Sequence, residues 1–217
     1  MRFKRIFFVF FLLAAVGLAV ALATTAYSGS TSSFECGPHC YEVAQPQPLP
    51  PALEGGKVVV IHGYRMSVPR HVEAIGVLND SLFIRYDANS VVAVTLDTLE
   101  SAAHQLEYLR DSGLTFVDWA NILYTATPDD FNGAYEVGSE AYSSIMAAKT
   151  TYFGEGLVAR YDGEDLSIYR VSDNPRLPSE EEVTVVDATR PNQLLYVSAT
   201  GLDADVLLGI IGSIEKE

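Results

Sequence analysis

Apolar positions change their spacing several times along the chain, and each change predicts an element. Ile6 to Ala23 carries no polar side chain, and Gly17 is its only interruption. From Thr24 to Gly56 no period holds. Lys57 to Ile61 (KVVVI) then reads as a buried strand, and Pro69 ends the segment after it. Val72 to Leu78, Ser81 to Tyr86 and Val91 to Leu96 read as strands, joined by the turn residues Asn79-Asp80 and Asp87-Ala88-Asn89-Ser90. Asp97 with Glu100 forms a capping-box pattern and predicts a helix from Thr98 to Arg110. Thr115 to Asp118 predicts a second helix start, running to about Tyr124. Thr127-Pro128-Asp129-Asp130 predicts a third, with apolar residues at helical spacing from Phe131 to Met146 and an end near Gly154. Period-two spacing returns at Leu157 to Tyr161 and Leu166 to Val171, around the hairpin signal Asp162-Gly163-Glu164-Asp165. It returns again at Val183 to Ala188 and Leu194 to Ala199, around Arg190-Pro191-Asn192. Asp203 to Glu215 closes the chain as an apolar-faced helix.

This order predicts an α+β domain: an antiparallel sheet of two meanders or hairpins with helices packed against it. A transmembrane or signal helix would precede it. Residues 1–26 read as a signal anchor, or residues 1–23 as a cleaved signal peptide with Ala21-Leu22-Ala23 as its cleavage site. Arg2, Lys4 and Arg5 keep the N-terminus cytoplasmic in either case. Residues 27–56, rich in Ser, Gly and Pro (QPQPLPP from Gln45 to Pro51), read as a flexible linker, and residues 57–217 as the extracytoplasmic domain. The expected location is the bacterial inner membrane with the domain in the periplasm; cleavage at Ala23 would release it there instead.

Charge narrows the partners. The 217 residues hold 28 acidic and 14 basic side chains. Setting aside Arg2, Lys4 and Arg5 leaves 11 basic against 28 acidic groups, a net charge of −17 outside the membrane. Such a surface does not neutralise phosphates, so a nucleic-acid partner is excluded. The expected partners are the membrane, through the N-terminal helix, and another envelope protein.

Three patterns suggest chemistry. Val58 to Gly63 (VVVIHG) resembles the strand and His-Gly turn ahead of the oxyanion loop in α/β-hydrolases. The G-x-S-x-G elbow that would supply their nucleophile is missing, because Gly138-Ser139 falls inside a predicted helix. Cys36-Gly37-Pro38-His39-Cys40 resembles thioredoxin-family redox centres, but three residues separate the cysteines and no strand precedes them. In an oxidising compartment a local disulfide between Cys36 and Cys40 is the simpler reading, and a bridge between chains is the alternative. Asp162, Glu164 and Asp165 lack the alternating ligands of a calcium loop. No metal and no cofactor is expected. Tyrosines recur through the central helices, and Tyr124, Tyr135 and Tyr142 are the candidate binding surface, since a phenol suits a site with one apolar and one wet side.

The strand, Pro-containing segment, meander, helices, second meander and terminal helix resemble the element order of PsbP-like α/β domains. Gly63 to Pro69 would form the opening and Leu194 to Ile214 the final strand and helix, over Lys57 to Glu217. The resemblance implies an accessory or assembly role and brings no functional residues with it. The chain is therefore expected to be a non-catalytic, membrane-tethered or secreted binding or accessory protein. The alternatives are a hydrolase using His62 or His71 and a thiol-redox protein using Cys36 and Cys40.

Overall fold

The structure is a computed structural model, and it describes residues 38–78, 81–101, 107–131, 139–173 and 180–217. The predicted membrane segment, Cys36, His104 and Tyr135 lie outside these residues. Among the described residues no helix is long and apolar enough to cross a membrane.

Among the described residues eleven strands form two sheets. The strands are β1 (Gln45–Gln47), β2 (Lys57–Ile61), β3 (Tyr64–Val68), β4 (Ala74–Leu78), β5 (Ser81–Arg85), β6 (Val91–Thr98), β7 (Leu157–Asp162), β8 (Leu166–Ser172), β9 (Glu180–Asp187), β10 (Gln193–Thr200) and β11 (Glu215–Lys216). The large sheet has the order β1-β7-β8-β9-β10-β6-β5-β4, and the small one β11-β3-β2. The expected antiparallel sheet of two meanders in an α+β fold is thereby corrected. Strand outweighs helix, 40% to 28%, so the fold is mostly β around one mixed eight-stranded sheet. Two features produce this. β6 pairs with β10 from Thr98–Gln193 to Val91–Thr200, which fuses the two runs of strands. β1 adds to β7 in parallel, which makes the sheet mixed.

The helices are α1 (Glu107–Ser112), α2 (Phe116–Thr125), α3 (Ser139–Glu155) and α4 (Ala204–Ile211). Alternation along the central strands divides the interior into two cores. Leu195, Val197 and Ala199 of β10, with Val92 and Val94 of β6, face the small sheet and α4, meeting Tyr64, Met66, Leu207 and Ile210. Leu194 of β10, with Val186 and Tyr169, faces α1–α3 and meets Trp119, Leu123, Ile145 and Phe153. The domain is a three-layer stack with the eight-stranded sheet in the middle.

Helix α2 begins where the sequence places it. The Thr115 hydroxyl accepts from the Asp118 N–H (3.1 Å), and the Asp118 carboxylate accepts from the Thr115 N–H (2.9 Å), a complete capping box. The helix expected from Asp97 does not start there. Asp97 and Thr98 continue β6 because Leu194 and Gln193 pair with them, and Thr98 and Ser101 close a turn on each other. The Thr127 start opens the 3-10 turn Pro128–Phe131; residues 132–138 of the expected helix lie outside the described residues, and α3 is described from Ser139.

Two more expectations change on folding. Lys57–Ile61, read as a buried strand, is the outer strand of the small sheet, with Val58 and Val60 half exposed. The Pro-rich segment read as linker is bound to the domain from Pro38 onward. Its 3-10 turn Pro38–Tyr41 packs on α3. The Ala44 N–H donates to the Tyr124 carbonyl (2.8 Å), and the Leu53 N–H donates to the Gly209 carbonyl of α4 (2.9 Å). This strap passes from the helical layer around β7 to the opposite face.

Candidate functional site

His62 sits in the turn between β2 and β3. His62 and Gly63 both have positive φ (54° and 78°), as a two-residue hairpin with type I′ geometry requires. A Cβ on Gly63 would lie 2.6 Å from the Arg190 guanidinium and push it aside, in addition to the strain of the positive φ. Arg190 Nη1 donates to the His62 carbonyl (2.7 Å), and its guanidinium lies 4.9 Å from the Tyr64 ring centroid, a cation–π contact.

Behind this turn Asp187 is fully buried. Its Oδ1 accepts from the Thr189 N–H (2.8 Å) and hydroxyl (2.7 Å). Its Oδ2 lies 3.4 Å from Lys216 Nζ and 3.6 Å from Arg190 Nε. Burial pushes the Asp187 carboxyl up, but the Thr189 hydrogen bonds and Lys216 outweigh it and hold the group below the ordinary carboxylate range. Burial, and then the Asp187 charge, push the Tyr64 phenol up. The cluster ties the C-terminal strand and the β2–β3 hairpin to the end of β9.

A shallow cavity of about 470 Å³ opens beside it, lined by His62, Leu96, Arg190, Pro191, Asn192 and Gln193. This lining holds no hydroxyl, thiol or carboxylate to act as a nucleophile beside His62. His71 is exposed on the connection between β3 and β4, at the other end of β3 from His62. The structure does not bring the two histidines together.

The tyrosines divide. Tyr124 is a core residue, 1% exposed: it stacks on Tyr169 (4.2 Å between centroids, 13° between planes), and its hydroxyl lies 3.1 Å from that of Thr184. Tyr142 is half-buried on α3. Tyr124 therefore contributes no binding surface. Trp119 Nε1 donates to the Tyr108 hydroxyl (3.1 Å), and burial pushes that phenol up to about 12. Cys40 is wholly buried, its sulfur 3.7 Å from the Thr150 hydroxyl of α3, so a redox partner does not reach it from solvent. Among the described residues no group of His, Cys, Asp or Glu is arranged to hold a metal. Asp162 of the acidic hairpin accepts from Arg160 (2.8 Å) and from Ser167 (3.1 Å).

The feature that sequence reasoning missed is the edge of the large sheet at β4, which no strand among the described residues covers. All five residues of β4 are exposed, Ile75 at 55%, Val77 at 71% and Leu78 at 47%. Ile75 lies opposite Ile84 and Val77 opposite Leu82, and both partners are buried. β4 thus extends one strand past the cover of the small sheet, with alternate N–H and C=O groups turned outward. The opposite edge of the sheet is β1, where Pro46 removes a donor. The strand itself was legible as an apolar run; that it ends a sheet depends on the β6–β10 pairing, which no local signal carries. No family model matches the chain, and no curated protein and no solved structure is significantly similar to it.

Proposed function

We propose that the chain is an extracytoplasmic binding or accessory protein of the bacterial envelope that engages a protein partner by strand addition along β4. It is held at the inner membrane by residues 6–26, or released to the periplasm after cleavage at Ala23, with Cys36 and Cys40 joined in that oxidising compartment. The single observation that supports this reading is the exposed, uncharged, β-branched edge strand Ala74–Leu78. In-cell cross-linking from position 77 of the full chain tests it. A specific adduct that disappears when Ile75→Lys is added, and survives Val58→Lys on β2, is the expected result. No adduct from position 77, or a domain that proteases reach only after the inner membrane is broken, would overturn it.

A further inference from the structure

We propose that the strand added to β4 is the β4 of a second copy of this chain, antiparallel to the first and related to it by a two-fold axis through Gly76; this rests on the strand-addition reading above. An axis at Gly76 sets Ile75 of each copy against Val77 of the other, so the exposed β-branched side chains cover one another. Gly76 faces Gly76 across the axis. A Cβ there meets nothing within 4 Å, so the approach is sterically open.

Charge selects this edge over the rest of the surface. A chain that carries −17 outside the membrane repels its own copy over most of its area. β4 carries no charge, and Glu73 at its start is paired with Arg85 (3.4 Å). The assembly also closes. Once both β4 edges are used, the joined large sheet ends in two β1 strands, each bearing Pro46, so it offers a third chain no further β4 edge.

The test is a cysteine placed on the axis. Gly76→Cys in the full chain, with Cys36 and Cys40 retained, should give a reducible covalent dimer on mild oxidation, which Val58→Cys and the unaltered chain do not give. Adding Val77→Lys to Gly76→Cys should abolish it, and light scattering of the unaltered chain should approach twice 23.6 kDa as concentration rises. Cross-linking of Gly76→Cys no greater than that of Val58→Cys, with the mass staying at one chain, overturns the proposal. If Ile75→Lys then still abolishes an adduct from position 77 to a different envelope protein, the occupant is that protein and strand addition stands. If it changes no adduct, both readings fall.

Discussion

Lys149 of α3 is fully buried and donates from Nζ to the carbonyl of Ala126, the residue that caps α2. The ammonium also lies 5.1 Å from the centroid of the Phe153 ring. A cation at a helix C-terminus meets the negative end of the helix dipole, which offsets part of its desolvation. Burial nonetheless lowers its pKa to about 8, against the opposing pull of Asp130 and Glu42.

The sign of the resulting pH dependence is fixed. The native state releases the Lys149 proton near pH 8, while the unfolded chain keeps it to about 10.4. Between these values the unfolded chain holds more protons, so stability rises with pH. Urea denaturation from pH 7 to 10 should show that rise in the unaltered chain and lose it in Lys149→Met. Equal slopes in the two proteins would refute the assignment.

Above pH 10 the tyrosines reverse the trend. Burial raises Tyr86 and Tyr108 to about 12, and Tyr124, Tyr152 and Tyr196 further. The unfolded chain ionises its phenols near pH 10 and the folded chain does not, so stability present below that pH is lost as pH climbs. Ultraviolet titration should resolve an early phenolate phase from a late one that coincides with loss of circular dichroism. A single phase near pH 10 in the folded protein would contradict this.

Asp187 supplies an acid limb. Its carboxyl is held low, so the stability it contributes is complete above the ordinary carboxylate pKa and is lost as pH falls through the native value. Asp187→Ala leaves Lys216 and Thr189 without their buried acceptor and should cost roughly 2–4 kcal/mol at neutral pH. Asp187→Asn should cost less and flatten the denaturation midpoint between pH 5 and 3, a range set by the ordinary Asp pKa of about 4. Stability that falls as steeply in Asp187→Asn as in the unaltered chain would count against this role.

Gly63 should be the sensitive half of its turn. Gly63→Ala meets both a positive φ and the Arg190 guanidinium, and should cost about 1–2 kcal/mol. His62→Gly removes a side chain from a left-handed position and should be neutral or stabilising. Thermal melts of the two variants distinguish them, since about 1 kcal/mol shifts Tm by some 2–4 °C at this size. A Gly63→Ala protein that melts like the unaltered one would remove the claim.

What the sequence made legible was local. The Thr115–Asp118 capping box and the Asp162–Asp165 hairpin, with its Gly163 N–H to Leu166 carbonyl bond, are decided by neighbours in the chain. Asp97 failed for the complementary reason: it has the same cap pattern, but pairing with distant Leu194 carries β6 through it. Tyr64, Met66 and Val68 alternate inward and would have been readable as a strand after the His62-Gly63 turn. Composition cannot say which phenol is covered, so Tyr124 reads as a surface residue, and the strand Val72 to Leu78 carries no sign that it is an exposed edge. That difference lies in the order of strands, which is set by contacts a hundred residues apart.

The strap from Pro38 to Gly56 governs how the domain answers to force. Any pull on the chain ahead of Pro38 arrives first at the 3-10 turn on α3 and at three residues of β1, before it reaches either core. Because β1 runs parallel to β7, load drawn toward the N-terminus is carried along the strands, in shear across the Gln45–Ala159 to Gln47–Tyr161 pairs. If the strap peels, Cys40 is uncovered first, the Ala44–Tyr124 bond and β1 go next, and the Leu53–Gly209 bond opens last, with the seven strands from β7 to β4 still paired. The segment with the composition of a spacer is in mechanical terms a sacrificial latch.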